Sequence, residues 1–355
     1  MHFESLFEPG MVAGRPHDLW RYREALPVGD DIITMGEGCT PLLPVTFDGR
    51  RLLVKQEQLF PTGSYKDRGA AVLMTHLHEL GVTRVVEDSS GNAGCAVAAY
   101  AAHAGIEADI YVPEDTSPAK TAQIEAYGAS LHRIRGTRED TARAALNAIG
   151  SSAYASHVYN PWFLQGTKTF AYEVAEQLNW TAPDTLVLPA GNGTLLLGAY
   201  LGFVELARAG TVHHVPRIIA VQAARCAPLA AAFAAGLDEP VAIHPDSTVA
   251  EGIAIASPAR GAQILAAVRA TGGSFVTVGE EEILASLRDC CRQGWFIEPT
   301  SAAAIAGART YARAAAPSQT IVTAFTGHGL KATDKVAGLV GSVEEEEVDH
   351  AGSNV

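Results

Sequence analysis

An α/β fold, with parallel sheets covered by helices, is what the patterning of this chain predicts. Three observations lead there. From residue 68 onward, short β-branched runs alternate with longer helical patterns, which is the rhythm of βαβ units. Glycine-containing loops stand where three of those strands end: Asp88–Gly94, Pro189–Leu195 and Phe325–Lys331. At 355 residues the chain is long enough for a large core and two domains.

Taken in order, residues 1–35 read as an irregular lead-in with a short helix over 18–26. Gly36–Leu42 is a turn followed by an extended segment. Residues 51–55 read as a strand, and 70–80 as a helix carrying Val72, Leu73, Leu77 and Leu80 on its apolar face. Strands then follow at 84–87, 108–112 and 131–134, and helices at 93–104, 118–127 and 138–149. The rhythm resumes with helix 165–178, strand 185–188, helix 195–208 and strand 217–221. It closes with helix 261–270, strand 274–278, helices 280–291 and 301–314, and strand 320–325. The tail from Glu344 to Val355 is acidic and glycine/serine-containing, and is expected to be disordered.

Composition narrows the function. A net charge of −13 without a basic cluster argues against nucleic acid as a partner. No apolar run reaches membrane-spanning length, and the first residues lack the basic and apolar regions of a signal peptide, so a cytoplasmic location is expected. Five scattered cysteines with no C-x-x-C pair argue against structural zinc and a disulfide framework, and no metal is expected.

Parallel sheets place ligands at the C-terminal ends of strands, which selects the loops that matter. Pro61-Thr62-Gly63-Ser64-Tyr65-Lys66-Asp67-Arg68-Gly69 joins a strand to a helix and holds one of six lysines. Lys66 is expected in a turn at the mouth of that helix, a partly desolvated position near a positive helix end. Both effects favour the neutral amine that a Schiff-base lysine needs. The plainer reading is a solvated surface lysine beside an acid and an arginine. The loop Ser89-Ser90-Gly91-Asn92 offers small residues and backbone N–H groups at a helix start, a natural anion site. Gly191-Asn192-Gly193-Thr194-Leu195 lets the backbone approach a ligand closely and opens another helix, so a phosphate would fit there.

These loops, in this order, resemble threonine synthases, within the fold-type II (tryptophan synthase β-like) pyridoxal-phosphate enzymes. The resemblance runs from Gly36-Glu37-Gly38-Cys39-Thr40-Pro41-Leu42 through the Lys66 loop to Thr326-Gly327-His328-Gly329-Leu330-Lys331. It implies pyridoxal 5′-phosphate as cofactor, bound by Lys66, Asn92, Gly191, Asn192, Gly193, Thr194, Leu195 and Thr326, with Lys66 also catalytic. Asn92 would contact the phenolic oxygen and Thr326 the pyridine nitrogen. Ser89, Ser90 and Gly91 would cradle the substrate carboxylate, and Asn160 and Phe163 would lie near the substrate. It further implies a large domain of residues 1–67 and 156–342, a small domain of 68–155 inserted in it, and the cofactor in the cleft between them. A homodimer acting on a small amino acid is expected.

Two departures bear on the substrate. Tyr159-Asn160-Pro161-Trp162-Phe163 has Phe163 where the family has an arginine that meets the phosphate of O-phosphohomoserine, and a phenyl ring is no substitute for a guanidinium fork. Ala93 replaces a family threonine. Three readings stand: a threonine synthase-like lyase; a threonine or serine dehydratase-like or β-replacement enzyme; and a non-catalytic relic that binds cofactor or amino acid. Glu298-Pro299-Thr300-Ser301-Ala302 resembles the family too; it would either face the cofactor ring or be a helix start without chemistry, and no catalytic role is assigned to it.

Overall fold

A computed structural model describes residues 7–89, 91–116, 118–333 and 336–339. The acidic tail and Ser90 lie outside these. Among the described residues, ten strands form two sheets: β1 (Leu42–Phe47), β2 (Arg50–Lys55), β3 (Arg84–Glu87), β4 (Glu107–Pro113), β5 (Ser130–Ile134), β6 (Ala153–Tyr154), β7 (Thr185–Pro189), β8 (Arg217–Ala223), β9 (Ser274–Val278) and β10 (Ile321–Ala324). One sheet runs β1-β2-β10-β7-β8-β9 and the other β5-β4-β3-β6. All neighbours are parallel except β1 and β2.

The β1–β2 hairpin makes the larger sheet mixed. Its two-residue turn is Asp48-Gly49, both with positive φ, which suits the twist of the strands it joins. That acid–glycine pair is a hairpin signal, although the patterning alone yields only β2.

Buried side chains fall into three clusters. Phe170, Leu188, Leu196, Phe203 and Leu265 fill one face of the larger sheet. Val54, Val221, Ile283, Leu287 and Ile305 fill the other. Val72, Leu73, Val97, Tyr100 and Ile110 pack around the smaller sheet. Strands buried on both sides are what helix-covered parallel sheets require.

The observed elements differ from the patterning at several places. The helix expected at 165–178 is two, Pro161–Thr167 and Thr169–Gln177. At Gly166 a Cβ would stand 1.9 Å from the Arg68 carbonyl oxygen, so the chain there is shaped by contact with the lysine helix. That helix runs Lys66–Glu79, making Lys66 its first residue rather than part of the preceding turn. Short β6 and the helix Pro228–Ala234 have no counterpart among the expected elements. Among the described residues, no helix is long and apolar enough to cross a membrane.

Candidate active site

A cavity of about 930 Å³ opens between the two sheets, lined from the smaller by Ser89, Asn92 and Gln123 and from the larger by Gly191, Thr194 and Thr326. A buried charge network lies behind the lysine helix, outside the cavity lining. Arg68 is fully buried and donates to both oxygens of Glu57 and of Glu173, at 2.6–2.8 Å. Lys55, also buried, donates to Glu173 at 2.6 Å and to Gln177 at 3.0 Å. Burial alone would raise the Glu173 carboxyl, but Arg68 and Lys55 outweigh it and hold the group well below its ordinary range. Two cations and two carboxylates thus close a neutral network two residues from Lys66.

The lysine loop is pinned from both ends. Asp67 is buried and accepts from the backbone N–H of Thr62 at 2.8 Å and from its hydroxyl. Gly63, at φ +84°, offers its carbonyl to His328 N–H at 2.9 Å, and Tyr65 N–H donates to the Thr326 carbonyl at 3.1 Å. Lys331 Nζ donates to the Thr62 carbonyl at 2.7 Å and to Gln123 Oε1 at 2.5 Å. The result holds Lys66 Nζ 3.2 Å from Thr194 Oγ1, with the Tyr65 and Phe163 ring centres 5.0 and 5.7 Å away.

Thr194 opens the helix Thr194–Arg208 and also meets the Tyr65 hydroxyl at 2.9 Å. Its N-cap, Gly193, sits at φ +72° and supplies no capping side chain, so the first-turn N–H groups face the cavity without a built-in acceptor. At Gly191 a Cβ would come within 2.8 Å of the Gly252 carbonyl oxygen, so glycine is demanded there. Residues 191–195 all line the cavity. A reactive amine against an anion-binding helix start is the pairing that an aldehyde carrying a phosphate requires, and the residues fit pyridoxal 5′-phosphate.

On the opposite side, Asn92 Nδ2 donates to Glu298 Oε2 at 2.9 Å, and Thr326 Oγ1 donates to Glu298 Oε1 at 2.8 Å. Ser301 Oγ lies 3.0 Å from Thr326 Oγ1. A Cβ on Gly327 would stand 2.5 Å from the Glu298 carboxyl carbon, so the glycine makes room for the bridge. Sequence alone gives Glu298 no role; its partners stand 206 and 28 residues away in the chain, which no local pattern reveals. The segment Val249–Ile255 forms a further wall that the sequence does not signal.

Ser89 and Gly91 line the cavity. Asn160 does not; its side chain caps the helix Pro161–Thr167 by accepting from Trp162 N–H at 3.1 Å. Phe163 is fully buried and does not line the cavity either. It packs on Gly69, where a Cβ would meet the ring at 2.3 Å, and approaches the site from behind through Lys66 and His157. His328 holds its own turn, Nδ1 accepting from Leu330 N–H at 3.1 Å, and burial lowers its pKa. Among the described residues no cluster of His, Cys, Asp and Glu is placed to hold a metal ion.

A model of the family described as pyridoxal-phosphate dependent enzyme matches residues 33–327. The threonine synthase of Mycobacterium bovis is 36% identical over 353 residues, covering 96% of this chain and 94% of the relative. That of Methanosarcina acetivorans is 36% identical over 324 residues, 88% of this chain and 80% of the relative. Among solved structures, a threonine deaminase from T.th. superposes with a TM-score of 0.70 at 27% identity, covering 82% of this chain and 92% of that one. The threonine deaminase isoform 2 of Solanum lycopersicum, at 23% identity and a TM-score of 0.74, shares the fold over 92% of this chain and 91% of its own.

Proposed function

From the premise that this chain belongs to the pyridoxal-phosphate dependent enzyme family, we propose which residues hold the cofactor and which substrate the cleft takes. The protein is a pyridoxal-phosphate-dependent lyase of the threonine synthase-like kind, acting on an amino acid by elimination or replacement at Cβ or Cγ. Lys66 takes the cofactor aldehyde and the backbone of Gly191, Asn192, Gly193, Thr194 and Leu195 takes its phosphate. Asn92 meets the phenolic oxygen and Thr326 the ring nitrogen. Ser89, Ser90 and Gly91 take the substrate carboxylate. Phe163 packs behind Lys66, its ring centre 5.7 Å from Nζ, and Asn160 caps the helix that carries it. The four-stranded unit is the small domain, 68–155, and the rest the large one.

When bound, the cofactor supplies an electron sink for negative charge developing at the substrate Cα. The Lys66 amine, oriented by Thr194 Oγ1, removes the Cα proton at Nζ. Glu298 holds the Asn92 and Thr326 side chains to fixed positions across the cleft. The buried Arg68 network keeps the first turn of the lysine helix from shifting.

We read the substrate as an amino acid with an uncharged hydroxyl on Cβ, of the L-threonine and L-serine class. The observation that carries this is the lining: no arginine is among the described residues around the cavity, and position 163 is a buried phenyl. Lys331 is on that wall, but its ammonium is held by Thr62 and Gln123. A second reading, phosphate expulsion from Cγ as in threonine synthases, is favoured by 36% identity across 96% of the chain. Assay of ammonia and 2-oxo acid from L-threonine and L-serine, beside phosphate from O-phospho-L-homoserine, decides between them. The expected result is ammonia without phosphate; stoichiometric phosphate and threonine would establish the second reading. A cytoplasmic homodimer is the assembly we expect, to be checked by light scattering.

A further inference from the structure

We propose that His157, backed by the buried carboxylate of Glu87, is the catalytic acid that protonates the departing hydroxyl of the substrate. This rests on the reading of a hydroxy amino acid given above. Glu87 ends β3 and is fully buried; His157 follows β6, the parallel neighbour of β3. The strand ends bring them together, with His157 Nδ1 2.7 Å from Glu87 Oε1. Against a carboxylate, Nδ1 carries its proton as donor, so proton transfer at the cavity falls to Nε2. The carboxylate also stabilises the imidazolium, the form a general acid needs.

The imidazole lines the same cavity as Lys66. Both pack against the buried Phe163 ring, whose centre is 5.9 Å from the His157 ring centre and 5.7 Å from Lys66 Nζ. The other ionisable groups lining the cavity among described residues are Tyr65, Cys95, Glu251, Glu298, His328 and Lys331. Beside the dyad, Asp88 accepts from the Tyr154 hydroxyl at 2.7 Å, and Arg260 donates to the carbonyls of Val158 and Tyr159 at 2.5 and 3.1 Å.

The need for an acid comes from the leaving group. Phosphate departs unaided at neutral pH; hydroxide does not. In the step proposed, the electron pair freed at Cα forms the Cα=Cβ double bond as the substrate Cβ–O bond breaks; the pair of the broken bond leaves with the oxygen, the Nε2 proton joins that oxygen, and water departs. Lys66 keeps the proton it took from Cα, so the charge lost by the imidazole is gained by the amine. Solvent then restores His157.

The test uses purified protein reconstituted with pyridoxal 5′-phosphate and two substrates, L-serine and β-chloro-L-alanine, whose chloride needs no proton to leave. His157→Asn is expected to lose about 10²–10⁴-fold in kcat on L-serine, with a far smaller loss on the chloride substrate. Glu87→Gln, which keeps the hydrogen bond but removes the charge, should move the alkaline limb of the L-serine profile to lower pH. NMR of ¹⁵N-histidine protein should show His157 protonated at both Nδ1 and Nε2 in the absence of substrate at the pH of the assay. Equal loss on both substrates, no loss on either, an unmoved limb in Glu87→Gln, or a wild type inactive on L-serine would each overturn the proposal. Absence of a visible cofactor band in the wild type, seen before substrate is added, overturns the cofactor reading and this proposal with it.

Discussion

Lys66 Nζ donates to Thr194 Oγ1 at 3.2 Å, joining the candidate reactive amine to the first residue of the helix that closes the glycine loop. Two loops 128 residues apart in the chain are thereby set at the spacing of one hydrogen bond. Thr194→Ala is expected to leave the fold intact and weaken amine positioning, lowering kcat more than it raises KM. Steady-state kinetics check this; a change confined to KM would assign Thr194 to binding alone.

Glu298 ties Asn92 to Thr326, and each of the two donors makes a hydrogen bond to a charged acceptor. Glu298→Ala should cost about 1.5–3 kcal/mol for each such bond that goes unreplaced, read by denaturant unfolding, and should weaken cofactor binding in titrations. Gly327→Ala should reproduce the cofactor effect, since its Cβ would stand 2.5 Å from the carboxyl carbon. Unchanged cofactor affinity in both variants would remove Glu298 from the site.

Burial pushes the Asp67 carboxyl up to about 7, against the hydrogen bonds from Thr62 that lower it. Between 3.8, its ordinary value, and about 7, the folded protein holds a proton that the unfolded chain has shed. The contribution of this group to stability is therefore full below 3.8 and is lost as pH rises through about 7. Asp67→Asn, which mimics the protonated form, should flatten that part of the stability–pH curve measured by chemical denaturation. An unaltered slope would contradict the assignment.

Removing Glu173 strands Lys55 and Arg68, both buried, with one carboxylate between them. Glu173→Ala should cost about 3–5 kcal/mol, the penalty of an uncompensated buried charge. A loss of about 1 kcal/mol or less, typical of an exposed pair, would show that the network is open to water.

Much of this site is legible in the sequence because loops at strand ends carry it, and glycine, serine and lysine types announce what such loops can do. Lys66, Asn92, the Gly191–Leu195 run and Thr326 do converge on one cavity. Phe163, expected near the substrate, instead sends its ring into the core, where the bare Cα of Gly69 on the lysine helix receives it. Glu298 and the His157–Glu87 pair escape a sequence reading for a related reason. A carboxylate at a helix start, or a histidine after a short strand, acquires its chemistry only from partners that the sheet order supplies. The wall Val249–Ile255 carries no sequence pattern of its own, and its place is set by the Gly252 N–H, which donates to Thr300 at 3.1 Å.

The central claim is that Lys66, among six lysines, carries the cofactor. The direct measurement is borohydride reduction of the reconstituted protein, followed by peptide mapping by mass spectrometry. The phosphopyridoxyl mass is expected on the peptide containing Lys66 and is expected to be absent from Lys66→Ala. The label on Lys331 or another lysine of the wild type, or on none, would contradict it.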